Sequence, residues 1–317
     1  MWKLDRDNKN AKELRMVFVE TLQDMMKTND KVVALEADLG GASGFTKIEQ
    51  TNPDRFINVG IAEANMTGIS AGLSQRGFIP FMHTFAPFAT RRVYDQLYLA
   101  GGYAHNTINI YGSDPGVCVA VNGGTHTSFE DVALMRALPT SWVLDPADAT
   151  QLEWCIREVA KRQGVNYIRA NRKGVPNLYA PESTFEIGKG NVIKDGNEVL
   201  LISCGEMLIT ALEAAEELEK EGVSVEVIDM FSIKPLDADL IVKEAANKKA
   251  IVTFENHNII GGLGSAVAEV LSENGIGVKL KRVGINDQFG QVGTIDYLKE
   301  TYGLTTKNLK AKIKEVL

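Results

Sequence analysis

The sequence predicts an α/β protein made of two doubly wound, mostly parallel-sheet domains. Three observations carry this prediction. Apolar runs of strand length alternate with helix-period segments through residues 31–170; the pattern then breaks at Pro176, Pro181, Gly188, Gly190 and Gly196; and a second alternating series opens at Val199. The predicted domains are residues 1–180 and 197–317, joined by a linker at 181–196. A chain of 317 residues is long enough for each domain to bury its own core.

In chain order, Lys31–Ala37 and Arg55–Val59 read as strands. Ile61–Gln75 is a predicted helix because Ala62, Met66, Ile69 and Leu73 recur at helical spacing. A strand follows at Ile79–Thr84, a helix at Phe88–Ala104, and strands at Thr107–Tyr111 and Gly116–Val121. Phe129–Leu138 reads as a helix, Trp142–Leu144 as a strand, Ala149–Lys161 as a helix and Asn166–Ala170 as a strand. Such alternation predicts a parallel sheet covered on both faces. In the second half, strands are predicted at Val199–Ser203, Val225–Met230, Ala250–Phe254 and Val278–Val283. The helices between and after them are Leu208–Glu219, Leu236–Ala246, Gly264–Leu271 and the amphipathic Leu304–Val316.

Composition narrows the classes of function. A net charge of -7 argues against nucleic acid as the main partner. No apolar run is long enough to span a bilayer, and the charged start, Met1 to Asp7, lacks the apolar stretch of a secretory signal, so a cytoplasmic location is expected. Cys118, Cys155 and Cys204 have no metal-like spacing and fall in apolar patterns, which predicts buried free thiols. Gly261-Gly262-Leu263-Gly264 opens a helix after a strand, but it lacks the full dinucleotide fingerprint, and no phosphate loop occurs in the chain.

Glu63 is the residue that needs explaining. It stands where a strand hands over to a helix that should be buried, beside a polar stripe of Thr67 and Ser70. One account is a favourable interaction with the helix dipole, worth about 0.3–1 kcal/mol. The other is chemical: a buried carboxylate shares a proton with a ligand's ring nitrogen rather than remaining ionised and alone.

The neighbouring motifs favour chemistry. Asp-Arg-Phe-Ile-Asn-Val-Gly-Ile-Ala-Glu at 54–63, Gly-Phe-Ile-Pro-Phe at 77–81 with Thr84-Phe85, Gly-Gly-Thr-His-Thr at 123–127 and Met-Arg-Ala-Leu-Pro at 135–139 resemble, in order and spacing, the pyrimidine-binding half of transketolases. The resemblance runs from about Lys12 to the C-terminus. It implies thiamine diphosphate as cofactor, with Glu63 at N1′ of the aminopyrimidine, where it favours the imino tautomer that takes the thiazolium C2 proton. It places Phe85 and Phe88 against the pyrimidine ring, where aromatic packing contributes on the order of 1 kcal/mol, and puts Asp38 among the cofactor contacts. His126 is implied to face the reacting carbon and stabilise developing charge. Arg172 is implied to grip a substrate phosphate by bidentate guanidinium contacts, with Lys12 replacing a family arginine and His83 lining the pocket.

Two departures from the family stand out. Asn122 occupies the place of an aspartate four residues before the loop histidine, and a second family histidine near Tyr111-Gly112-Ser113 is missing. An amide donates as well as accepts, which opens a different donor-sugar preference. No G-D-G metal motif occurs in these residues. The resemblance therefore implies the C-terminal subunit of a split transketolase. A separate N-terminal subunit would supply the Mg²⁺ or Ca²⁺ and the diphosphate site, and self-association would give an α2β2 assembly. The implied reaction moves a two-carbon ketol unit from a ketose phosphate to an aldose phosphate. Alternatives are a relative of deoxyxylulose-phosphate synthase or of the 2-oxo acid dehydrogenase β subunit, and, from another class, a non-catalytic regulatory or scaffolding subunit.

Overall fold

The computed structural model describes residues 1–6 and 11–317. Two sheets form, as the alternation predicts. The first holds β1 (Val32–Glu36), β2 (Phe56–Asn58), β3 (Ile79–Phe85), β4 (Ile108–Ser113), β5 (Trp142–Leu144) and β6 (Val165–Ala170). The second holds β7 (Asn191–Lys194), β8 (Val199–Ser203), β9 (Val225–Asp229), β11 (Ala250–Asn258) and β12 (Lys279–Ile285), while β10 (Ser232–Lys234) crosses back to the first. The orders are β10-β5-β6-β4-β3-β1-β2 and β12-β11-β8-β9-β7. All pairings are parallel except β10 with β5 and β7 with β9. Central strands β1, β4, β6, β8 and β9 are buried at every position, as a sheet covered on both faces requires.

One apolar core serves both sheets. Leu35, Met66, Met82 and Ile110 of the first belong to the same buried cluster as Leu200, Ile228, Ile251 and Val267 of the second. Arg169, 1% exposed, fastens the two halves from within. Its guanidinium donates to Asp131 at 2.7 Å, to Asp145 at 2.8 Å and to the Asn256 carbonyl at 3.0 Å.

Several elements depart from expectation. Gly116–Val121 is not a strand but part of a 3₁₀ stretch, Gly116–Asn122. Asp114 (φ 51°) and Gly116 (φ 60°) turn the backbone out of the sheet, and the Asn256 side chain then accepts from Val117 N and donates to the Pro115 carbonyl, supplying the partners a ladder would have given. The predicted Phe88–Ala104 helix is broken into Ala86–Ala89, a 3₁₀ turn Arg91–Val93, Tyr94–Gln96 and a π-helical Leu97–Tyr103. Thr90 is the break: its φ and ψ are -125° and -81°, and its hydroxyl bonds back to the Ala86 carbonyl at 2.7 Å. The predicted Leu304–Val316 helix corresponds to Thr306–Lys314, preceded by Ile295–Tyr302, which has no counterpart in the predicted elements. The helix Leu14–Thr28 and β10 are likewise additions, whereas β7 is a short strand inside the segment read as a linker. All three cysteines are buried and unpaired.

Candidate active site

Open α/β sheets bind ligands beyond the carboxyl ends of their strands. In the first sheet that edge gathers most of the predicted site residues. Along the neighbouring strands β6, β4, β3, β1 and β2, the chain leaves each C-terminal end to deliver Arg172, the His126 loop, Phe85 and Phe88, Asp38, and Glu63.

Glu63 begins the helix Glu63–Gln75 and is 4% exposed. Its Oε1 accepts from Arg92 at 2.5 Å. The Arg92 guanidinium in turn lies over the Phe88 ring, 3.6 Å from its centroid. Phe88 meets the His126 ring at 5.2 Å, and Phe85 meets it at 5.8 Å, both edge-on. Arg172 sits over Phe85 at 4.8 Å and forms an ion pair with Asp114 through its Nε. An unbroken line of contacts thus runs from Glu63 to Asp114.

Within this line each group is held for a reason. Thr125 Oγ1 lies 2.9 Å from His126 Nδ1, which leaves Nε2 as the nitrogen that can meet a ligand. Asp114 is buried in a left-handed turn, and burial pushes its carboxyl up against the opposing pull of the Arg172 charge. It also accepts from the Arg172 backbone at 2.9 Å, so the arginine is gripped at both ends while its terminal nitrogens have no hydrogen-bond partner among the described residues. Sequence reasoning missed Arg92 and Asp114. Arg92 comes over Phe88 only because the helix breaks at Thr90, which helical spacing does not signal, while Asp114 opens an Asp-Pro-Gly turn after β4.

The remaining predicted residues lie apart from the line. His83 is fully buried, bonded through Nε2 to Ser113 at 3.0 Å and packed against Phe45 and Tyr111. Burial, with the Arg172 charge, lowers its pKa to about 3. A substrate contact is therefore corrected: with no exposed surface, His83 is a neutral core residue behind the site. Lys12 forms a surface ion pair with Glu20. Asp38, in the left-handed region at φ 59°, is exposed, its N–H donating to Asn58. Asn122 is exposed at the end of the 3₁₀ stretch.

The loop 287–293 of the second half braces the histidine loop. A Cβ on Gly123 would come 2.5 Å from Val292, and one on Gly124 2.5 Å from the Gly290 carbonyl. The glycine loop at 261–264 holds no space for a phosphate, because Glu255 already occupies it, accepting from Leu263 N at 2.7 Å and Gly264 N at 2.8 Å. Among the described residues no cluster of three or more His, Cys, Asp or Glu could hold a metal ion, and no helix is long and apolar enough to cross a membrane.

The arrangement can hold a planar nitrogen heterocycle: an aromatic face, a buried carboxylate at its edge, a histidine nearby and a cation for a distal anion. Comparison with known proteins bears on the fold and the family. The family model for the pyrimidine-binding domain of transketolase matches residues 10–177, and that for its C-terminal domain matches residues 188–309. The chain is 43% identical over 303 residues to a 6-deoxy-6-sulfo-D-fructose transketolase subunit of Clostridium sp. (strain MSTE9), covering 96% of this chain and 94% of the relative. It is 39% identical over 306 residues to a chain of Methanocaldococcus jannaschii provisionally described as a transketolase C-terminal section, covering 96% of each. A solved structure described as a split gene transketolase, inactive beta4 tetramer, superposes with a TM-score of 0.89 at 41% identity, covering 96% of this chain and 98% of that one.

Proposed function

From the premise that the chain belongs to the transketolase family, we propose that it is the pyrimidine-binding subunit of a two-chain transketolase that moves a two-carbon ketol unit between sugars. The observation that carries this is the contact line from Glu63 through Phe88 and His126 to Arg172. When bound, thiamine diphosphate supplies an acidic carbon and an electron sink for the ketol unit. The protein's residues bind, orient and move protons around it.

Glu63, shielded from water, holds a proton at the ring nitrogen N1′ of the pyrimidine. Phe85 and Phe88 wall the ring, and Asp38, at the end of β1, joins the cofactor contacts. His126 presents Nε2 to the reacting oxygen and stabilises charge that develops there. Arg172 offers its terminal N–H pair to an anionic group at the far end of the sugar, with Asn122 and Lys12 as further substrate contacts. That group is a phosphate or a sulfonate. The sulfofructose activity in the name of the Clostridium relative supports including sulfonates.

A second chain carrying the G-D-G motif contributes the Mg²⁺ or Ca²⁺ and the diphosphate site, in an α2β2 assembly in the cytoplasm. Two observations support a partner. Ile61, Val121, Phe289 and Val292, next in sequence or space to site residues, are 78%, 68%, 95% and 67% exposed, an apolar rim typical of interaction surfaces. The solved relative is described as an inactive tetramer of β chains alone.

The test is Glu63→Gln in the complex reconstituted with the second chain. Hydrogen–deuterium exchange at C2 of bound thiamine diphosphate, read by quenched NMR, is expected to slow at least about a hundredfold. Exchange within a few-fold of wild type overturns the role of Glu63.

A further inference from the structure

Arg92 occupies the two surfaces that a pyrimidine ring would need. Its guanidinium covers the face of Phe88 at 3.6 Å and takes Oε1 of Glu63 at 2.5 Å. A guanidinium and an aminopyrimidine share the recognisable features: both are flat, both carry an N–C–N edge, and both present N–H donors in the plane. One ring face and one carboxylate oxygen cannot serve both at once. The geometry points to Arg92 as an internal stand-in for the pyrimidine, closing the site in the uncombined chain and leaving when the ring enters.

The surroundings allow this exchange. Arg92 sits in the 3₁₀ turn Arg91–Val93, and its side chain is 43% exposed, so it reaches solvent by rotation about its own bonds. Val93, the next residue, is fully buried and anchors the turn. Glu63, by contrast, is nearly enclosed, and a buried carboxylate without a partner is costly. The guanidinium keeps that carboxylate paired until the ring replaces it. Its neighbour is engaged elsewhere: Arg91 pairs with Glu130 at 2.7 Å. Apparent affinity for the ring is then reduced by the fraction of chains in which Arg92 is in place.

The inference rests on the reading of Glu63 and Phe88 as the pyrimidine clamp, and the test separates the two. The probe is 4-amino-5-hydroxymethyl-2-methylpyrimidine, the ring end of the cofactor alone, titrated into the full chain and followed by NMR. Arg92→Ala is expected to bind it about three- to thirtyfold more tightly, the range for an ion pair with one half-exposed partner together with a stacked cation. Arg92→Lys, which keeps the charge but not the flat stack, should fall between Ala and wild type. In the wild-type chain the Arg92 Nε–Hε signal should lose the ring-current shift imposed by Phe88 as probe is added. Glu63→Gln should bind the probe more weakly than wild type. Unchanged or weaker binding by Arg92→Ala, with Glu63→Gln still impaired, overturns the stand-in and leaves the clamp standing. Unimpaired binding by Glu63→Gln removes the clamp and the stand-in with it.

Discussion

Replacing Glu255 by Gln tests how the second domain manages a buried carboxyl group. Glu255 is 1% exposed on β11, and its side chain closes the N-terminal end of the helix Leu263–Glu273 through two backbone N–H groups. Burial raises its pKa from 4.5 to about 7, more than those N–H groups and the charges of Arg169 and Arg136 lower it. At roughly 1.36 kcal/mol per pH unit, that rise amounts to about 3 kcal/mol. The sign follows from proton binding: the folded chain holds this proton more tightly than the unfolded one. The contribution is complete below about pH 4.5, is lost as pH rises toward 7, and is constant above. Gln does not titrate, so the stability of Glu255→Gln relative to wild type should improve by about 3 kcal/mol between pH 4.5 and 7.5. A pH-independent offset of about 1–3 kcal/mol against the variant accompanies this, because the amide turns donors toward Leu263 and Gly264. The buried histidines His83 and His257, with pKa values lowered to about 3 and about 4, act in the opposite direction; His83 lies away from Glu255 and cancels, whereas His257 Nδ1 is 3.9 Å from Glu255 Oε2 and cancels only while Glu255 is protonated. Urea unfolding followed by tryptophan fluorescence at four pH values measures the difference. Parallel stability curves for the two proteins would refute the reasoning.

Two further outcomes are expected. Arg172→Ala should raise KM for a phosphorylated or sulfonated substrate by about ten- to a hundredfold, the loss of a charge-assisted contact, while KM for an uncharged aldehyde holds; equal losses on both would make Arg172 structural. Gly124→Ala places a methyl 2.5 Å from the backbone carbonyl of Gly290, which displaces the histidine loop and should cut kcat by about ten- to a hundredfold in steady-state assays of the reconstituted complex; wild-type kcat would show that the loop 287–293 does not set the position of His126.

The sequence exposed the fold wherever periodicity and length agreed. Lys31–Ala37 and Val199–Ser203 are apolar runs too short for helices, and both are central strands in the structure. It misled where a local turn overrode composition. The apolar run Gly116–Val121 has a strand's residues, but the left-handed Asp114 and Gly116 and the distant Asn256 decide its shape, and Asn256 lies far away in sequence. Glu63, Phe88 and His126 stood out because motif spacing brings them to one sheet edge. Arg92 did not, because its meaning depends on Thr90 breaking the helix and on a carboxylate 29 residues earlier. His83 shares a face of β3 with Phe85, two residues on, but it stands one step deeper along the strand, enclosed between Phe45 and Tyr111, a depth that one-dimensional proximity hides.

The crossing of β10 carries a consequence for how this chain can be divided. Ser232–Lys234 lies in the chain between β9 and β11, both strands of the second sheet, yet pairs with β5 of the first, and Asp145 donates its N–H to the Phe231 carbonyl beside it at 2.7 Å. Severing the polypeptide between residues 181 and 196 would leave β5 with an open edge and Arg169 without the Asn256 carbonyl, and would split a single apolar core across two pieces. Gene fission and fusion, or circular permutation by an engineer, therefore have no free joint between these two sheets.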